Sequence, residues 1–211
     1  SEGNAITNLV TWQDRRGSLV TTNGSTILNE MKGKVPGLSV SDGYGLVTLY
    51  YWTNIEKQKE ITSFCTLPDY FVKQLCHLSS PVMHPSMAHS IGAFDIFPAE
   101  KWNRETIAGL DLEHLQFPEI SQASHFTGRS DLQGRLNKEV PVTVAIGDNQ
   151  ASYLGSVGKY LGSLLINVGT GTQLSYSVPK GMTGNINTEP DTEIRPFMNS
   201  QVLISTSLIS G

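Results

Sequence analysis

Residues 139–150, EVPVTVAIGDNQ, run an alternating apolar stretch straight into a glycine, an aspartate and two side-chain amides. Alternation of that kind marks a β-strand, and the residues that follow, DNQASYLG, have the character of a helix start. A strand feeding directly into a helix is the repeating joint of α/β folds, so this stretch alone points to that class. Asp148 then has two readings. It can cap the helix, accepting hydrogen bonds from the first free amides at the positive end of the helix dipole. It can also be functional, because ligands of open α/β sheets bind beyond the carboxyl ends of the strands, where Asp148 emerges, and a carboxylate there can take a proton from a hydroxyl.

The rest of the chain alternates in the same manner. NLVTWQ (8–13) predicts a strand, residues 25–32 a short helix ending at Gly33, and GLVTLYYWTNIEK (45–57) a helix with Leu46, Leu49, Tyr50 and Ile55 on one face. ITSFCT (61–66) predicts a buried strand, and LPDYFVKQLCHLSS a helix with Pro68 in its first turn and Leu67, Phe71, Leu75 and Leu78 inward. HSIGAFDIF (89–97) alternates as a strand, and AEKWNRETIAGL (99–110) reads as a helix. After Gly162 the pattern changes to three strand candidates, GSLLINVG, TQLSYSV and SQVLISTSL, as in an antiparallel meander. Gly155, Gly158 and Gly162 mark the change, and a boundary there divides the chain into residues 1–157 and 158–211.

Composition narrows the function classes. A chain of 211 residues, 38% hydrophobic and 16% charged, can bury a substantial core. Its net charge is −4 and it has no lysine or arginine run, which argues against nucleic-acid and anionic-membrane partners. No apolar stretch approaches the roughly 18 residues that span a bilayer, and the opening SEGNAITN lacks the order of a signal peptide, so a soluble, cytoplasmic protein is expected. Cys65 and Cys76 lack metal-ligand spacing and are expected as buried free thiols; His84 and His89 are expected as ordinary loop histidines, with no metal site. The triplet Asn23-Gly24-Ser25 fits a glycosylation acceptor but matters only in a secreted chain.

NVGTGTQLS places Gly169, Thr170, Gly171 and Thr172 between two strands. Glycines there let backbone amides approach an anion and hydroxyls add donors, although the same residues also make a plain hairpin turn. GDNQAS, a helix, a boundary and NVGTGTQLS within about thirty residues resemble the FGGY family of carbohydrate kinases. The resemblance covers almost the whole chain: LVTWQDRR, GYGLVTLYYW and DYFVKQLCHLSSPVMHPSMAHSIGAFDIFPAEKWN all look like family segments. Among subfamilies, LVTWQD and RPFMNSQVLISTSLISG look most like sedoheptulokinases.

The resemblance implies an actin-like, ribonuclease H-like ATPase fold, with an incomplete first, sugar-binding domain and the start of a second, ATP-binding domain. It implies ATP and Mg²⁺ as cofactors, phosphorylation of a ketose such as sedoheptulose or a pentulose, and Asp148 as general base. Gly169, Thr170, Gly171 and Thr172 would face the ATP phosphates. Trp12 would pack on the sugar, or belong to the core; Asp14 would accept sugar hydroxyls, or pair with Arg15 or Arg16. Tyr44 would contact the sugar or fill its turn, and Asn149 and Gln150 would hold sugar hydroxyls or simply occupy the first helical turn. A homodimer is compatible with it. Two rivals stay open: a non-catalytic nucleotide-binding domain of the actin/Hsp70 architecture, and a sugar-binding protein derived from a kinase.

The family's Thr-Asp-x-Ser-Asn-Ala stretch stands here as Met83-His84-Pro85-Ser86-Met87-Ala88, so polar groups near the sugar differ. The family's opening Asp-x-Gly-Thr-x-Ser phosphate hairpin and its glycine-rich adenosine site are not in these 211 residues, which look like the central piece of an enzyme about twice as long. The 211-residue chain by itself is therefore expected not to phosphorylate sugar. Incubated with Mg-ATP and a panel of ketoses and polyols, it should release no substrate-dependent ADP, and turnover would overturn the expectation.

Overall fold

Side chains that cap backbone amides set the starts of four of the described helices in this protein. The computed structural model describes residues 3–122, 125–159, 162–169, 172–185 and 191–208. Helix α1 (Ile27–Lys34) starts where the Thr26 hydroxyl accepts from the Asn29 amide at 3.2 Å, and Lys32 and Lys34 complement the dipole of its last turn. It passes through Gly33, expected to end it, and stops one residue later. Helix α2 (Gly45–Tyr50) buries Leu46, Leu49 and Tyr50 as anticipated, then widens into a π-helical turn (Tyr51–Ile55). The wider turn rotates the following residues, and Ile55, expected inward, is exposed.

Helix α3 (Leu67–Leu75) does begin with proline in its first turn, but its inner face is not the predicted one. Asp69 and Val72 are buried, whereas Leu67 and Phe71 are exposed. The cause is local: Asp69 Oδ2 accepts from the Thr66 amide at 3.2 Å and hydroxyl at 2.6 Å, and this capping carboxylate occupies the inner side of the first turn. Phe71, two residues on, therefore points the other way.

Three predicted strands shrink or vanish. Residues 8–13 form no strand, and 61–66 contribute only a parallel bridge between Ser63 and Gln116. Strand β1 (Val82–Met83) leads into helix α4 (Pro85–Ile91), which absorbs His89, Ser90 and Ile91 from the segment predicted as strand. His84 is the reason. It is the N-cap of α4, its Nδ1 accepting from the Ser86 amide at 3.1 Å, with Pro85 at the first helical position. The helix continues until Gly92 takes a φ of 105°. Only β2 (Phe94–Asp95) remains extended, paired with β3 (Lys101–Trp102), and helix α5 (Arg104–Gly109) starts later than expected, after the Asn103 cap. Strand β4 (Glu119–Ile120) lies parallel to β1. These elements enclose one core in which Trp102 meets Phe94, Phe64 and Phe117 edge-on and donates its indole N–H to the Pro118 carbonyl at 2.8 Å.

The predicted strand at 139–147 is real but short: β5 (Phe126–Ser130) pairs antiparallel with β6 (Val140–Thr143). Helix α6 (Asp148–Val157) follows and ends at Gly158, whose φ is 53°. The sheet beyond it has the order β7-β8-β10-β9, all antiparallel, from β7 (Leu165–Val168), β8 (Thr172–Pro179), β9 (Thr192–Pro196) and β10 (Gln201–Leu208). The meander was anticipated and β9 was not. Tyr153 and Val157 of α6 pack on Phe197 and Leu203, and Ile96 packs on Val202 and Ile204.

Asp69 supplies a stability test. Burial pushes its carboxyl up to about 6 against the opposing pull of the Thr66 hydrogen bonds, and its Oδ1 has no partner among the described residues. The folded chain thus holds this proton more tightly than the unfolded one. Asp69 supports the fold below about pH 4, and that support is lost as pH rises through about 6. Asp69→Asn keeps an acceptor for Thr66 and cannot ionise, so it should stabilise the chain relative to the parent at pH 7 and by much less at pH 4. Urea denaturation at the two pH values checks this.

Candidate functional site

Gly147, not Asp148, is the N-cap of α6. Asp148 is the first helical residue and is exposed, its Oδ1 accepting from the Asn149 amide at 2.7 Å. The cap reading is thereby corrected: the aspartate bonds a first-turn amide from inside the helix and presents its other oxygen outward. Gly147 leaves room for the Gln150 side chain, since a Cβ at position 147 would lie 2.4 Å from Gln150 Oε1 and displace it. Gln150 is 3% exposed and donates from Nε2 to the Pro196 carbonyl at 3.0 Å, tying the first turn of α6 to β9. Asn149 is half-buried between these two.

Behind the junction lies a pair the sequence reading missed. The Gly147 amide donates to Ser86 Oγ at 3.0 Å, and Ser86 Oγ lies 2.8 Å from His84 Nδ1. Since that nitrogen also accepts from the Ser86 amide, it carries no proton, and the hydroxyl donates to it. The His84 proton therefore sits on Nε2, which is buried without a hydrogen-bond partner among the described residues. His84 is not a loop histidine but a fully buried one; burial lowers it to about 4, with the Glu100 charge opposing. The signal available in the sequence was His-Pro-x at a helix start, but the contact to Gly147 spans 61 residues.

Trp12 is 79% exposed in a turn closed by the Asp14 amide on the Thr11 carbonyl, so it is not a core residue. Its carbonyl presses on Gly43, where φ is 85° and a Cβ would stand 2.0 Å from the Trp12 oxygen. Asp14 pairs with Arg16 rather than Arg15, receiving Nε at 2.7 Å and a terminal nitrogen at 3.0 Å. Partial burial opposes its charge, but the hydrogen bonds and charge of Arg16 outweigh it and hold the carboxyl below its usual value. The Arg16 guanidinium also lies over the Tyr51 and Trp52 rings, 5.0 and 4.9 Å from their centroids. Tyr44 is the N-cap residue of α2 and half-buried; burial raises its phenol, as does Glu193, with Arg195 opposing.

The structure thus joins Trp12 to Tyr44 through Gly43, sets Tyr44 in the field of charges on β9, and ties β9 to Gln150. A cavity of about 1190 Å³ is lined by Trp12, Gly43, Thr48, Trp52 and Ser90 but not by Tyr44, Asp148, Asn149 or Gln150. Gly169 and Thr172 flank the β7–β8 turn, with Val168 paired to Thr172; Thr170 and Gly171 lie outside the described residues. Among the described residues no three His, Cys, Asp or Glu come together as a metal cage. Mg²⁺ carried on nucleotide phosphates needs only one or two protein ligands. Cys65 and Cys76 are free as expected but half-buried, with burial first and Asp69 second raising the Cys65 thiol to about 11.

A family model described as FGGY family of carbohydrate kinases, N-terminal domain, matches residues 1–155. Sedoheptulokinase of Homo sapiens is 30% identical over 216 residues, taking in 100% of this chain and 44% of the human protein. A glycerol kinase of Saccharolobus islandicus is 28% identical over 83% of the chain and 36% of its own length. The chain therefore spans less than half the length of these curated relatives. Among solved structures, xylulose kinase from Bifidobacterium adolescentis superimposes with a TM-score of 0.70 at 17% identity, over 100% of this chain and 50% of its own. Plasmodium falciparum glycerol kinase with ADP gives 0.65 at 18% identity over 93% and 41%. The fold is that of the actin-like sugar kinases, of which the chain represents the N-terminal part.

The approach of Trp12 to Gly43 has a measurable consequence. Gly43→Ala meets both a left-handed φ and the Trp12 carbonyl, whereas Gly24→Ala meets a φ of 78° with nothing within 4 Å. The left-handed conformation alone costs about 1–2 kcal/mol. Gly43→Ala should lower stability by clearly more than Gly24→Ala in parallel denaturation curves.

Proposed function

The chain belongs to the FGGY family of carbohydrate kinases, and on that premise we propose that it is part of an enzyme transferring the γ-phosphoryl group of ATP to a hydroxyl of a ketose such as sedoheptulose or a pentulose. The observation that carries the reading is Asp148. It is an exposed carboxylate at the start of α6, beyond a strand, on a junction held from one side by Ser86 and from the other by Gln150. In this reading residues 1–157 belong to the sugar-binding domain and 158–211 begin the ATP-binding domain.

The Asp148 oxygen not engaged by Asn149 accepts the proton of the sugar hydroxyl while the hydroxyl oxygen attacks the γ-phosphorus in line and the bond to ADP breaks. Mg²⁺ bound with the nucleotide would supply charge neutralisation. Gly169, Thr170, Gly171 and Thr172 meet the phosphates as a glycine-hydroxyl turn. Trp12 offers its exposed face to the C–H surface of the sugar. Asp14, gripped by Arg16, fixes the course of the Trp12 turn and keeps lone pairs for a sugar hydroxyl. Tyr44 and Asn149 add polar contacts, and Gln150, buried against Pro196, sets the first turn of α6.

Asp148→Asn tests the assignment. The side chain is exposed at the first helical position, so the exchange should cost only about 0.5 kcal/mol of dipole compensation. In a protein of the relatives' length, kcat should nevertheless fall by about 100-fold or more, with ATP affinity kept. Near-normal kcat in sugar-dependent ADP release would refute the base. ADP release that needs no sugar in the parent would favour a nucleotide-binding module instead.

A further inference from the structure

We propose that Ser86 is a positioning residue for the reaction: its hydroxyl, held by His84, clamps the Gly147 amide and thereby aims Asp148. This rests on the reading of Asp148 as the base. Glycine is the residue least able to fix its own backbone, yet the N-cap of α6 is a glycine with no side chain to cap the helix. Its conformation, φ −60° and ψ 152°, is imposed from outside. On one side Gln150 Oε1 fills the space a Cβ would need; on the other the Gly147 N–H is taken by Ser86 Oγ at 3.0 Å.

The clamp is itself over-determined. Ser86 is 6% and His84 0% exposed, so the bonds between them do not compete with water. The Ser86 amide and hydroxyl both donate to His84 Nδ1, so the hydroxyl proton points at the imidazole and the lone pairs of the oxygen are left to receive the Gly147 amide. Pro85, between them, fixes φ at the start of α4. A side chain from a distant helix thus holds the Ile146–Gly147 peptide, one residue before Asp148. The hydrogen-bond chain runs amide to hydroxyl to imidazole, and no proton in it needs to move for the clamp to act.

The experiment is a double-mutant cycle in a protein of the relatives' length, comparing Ser86→Ala, Asp148→Asn and the pair. Losing one buried hydrogen bond that aims the base should lower kcat about tenfold. KM for sugar and ATP should stay within about twofold, since only the aim of the base changes. In the Asp148→Asn background Ser86→Ala should then cost nothing more, because it acts through Asp148. Hydrogen exchange of the Gly147 amide should speed up in Ser86→Ala relative to that of Ala151. If Ser86→Ala does not fold, Ser86→Cys, with a weaker acceptor of similar shape, carries the same comparison. Unchanged kcat in Ser86→Ala beside an inactive Asp148→Asn would overturn the positioning role alone, as would equal losses in both backgrounds. An active Asp148→Asn would overturn the base on which it rests.

Discussion

The buried side-chain amide of Gln150 fixes the start of α6 against the four-stranded sheet. Its Nε2 bonds the Pro196 carbonyl and its Oε1 presses on Gly147, so the helix that begins at Asp148 is fastened to β9 and not merely to the strand before it. Tyr153 and Val157 extend the attachment along α6 to Phe197 and Leu203, and the Tyr153 hydroxyl reaches the Ser163 carbonyl at 2.8 Å. The helix therefore shares its hydrophobic contacts with the four-stranded sheet, while the amide of its N-cap, Gly147, is bonded back to Ser86 of α4. Asp148 stands where these two attachments meet.

How much of this was legible in the sequence depended on range. The strand-to-helix joint, α1 and the β7–β8–β10 meander are written in local pattern, and they appear close to where periodicity places them. What failed was decided by contacts the pattern does not contain. His84 and Pro85 start a helix that consumes half of a plausible strand. The Asp69 cap turns α3 so that Phe71 faces water. At the site, Asp148 could be singled out because its position in a strand-turn-helix unit is local. Ser86 could not, because its partner is 61 residues away and serine near a helix start is ordinary. Thr170 and Gly171, between β7 and β8, lie outside the described residues, and their role remains a reading of sequence alone.

Two buried titratable groups pull the pH dependence of the fold in opposite directions. His84, lowered to about 4, favours the folded state above its ordinary value near 6.5 and loses that contribution as pH falls. Asp69, raised to about 6, does the reverse. Across the interval they share, the slopes offset one another. A fold stable across mildly acidic pH can thus be built on two groups that are each poorly accommodated.

The π-helical turn at Tyr51–Ile55 has a consequence for how homologous chains should be aligned. Neighbouring residues of an α-helix point well apart, yet Tyr51 and Trp52 both lie under the one guanidinium of Arg16, which in turn grips Asp14 beside Trp12. The two rings that share this cation open the wider turn. A chain shorter by one residue here would revert to regular helix, bring the position of Ile55 back toward the core, and release one ring from Arg16. Lysine in place of Arg16 would keep the charge but could not fork a carboxylate and stack on two rings together. In this segment, then, a single gap or a nominally conservative exchange would redraw the edge of the site more than many changes of residue type within it.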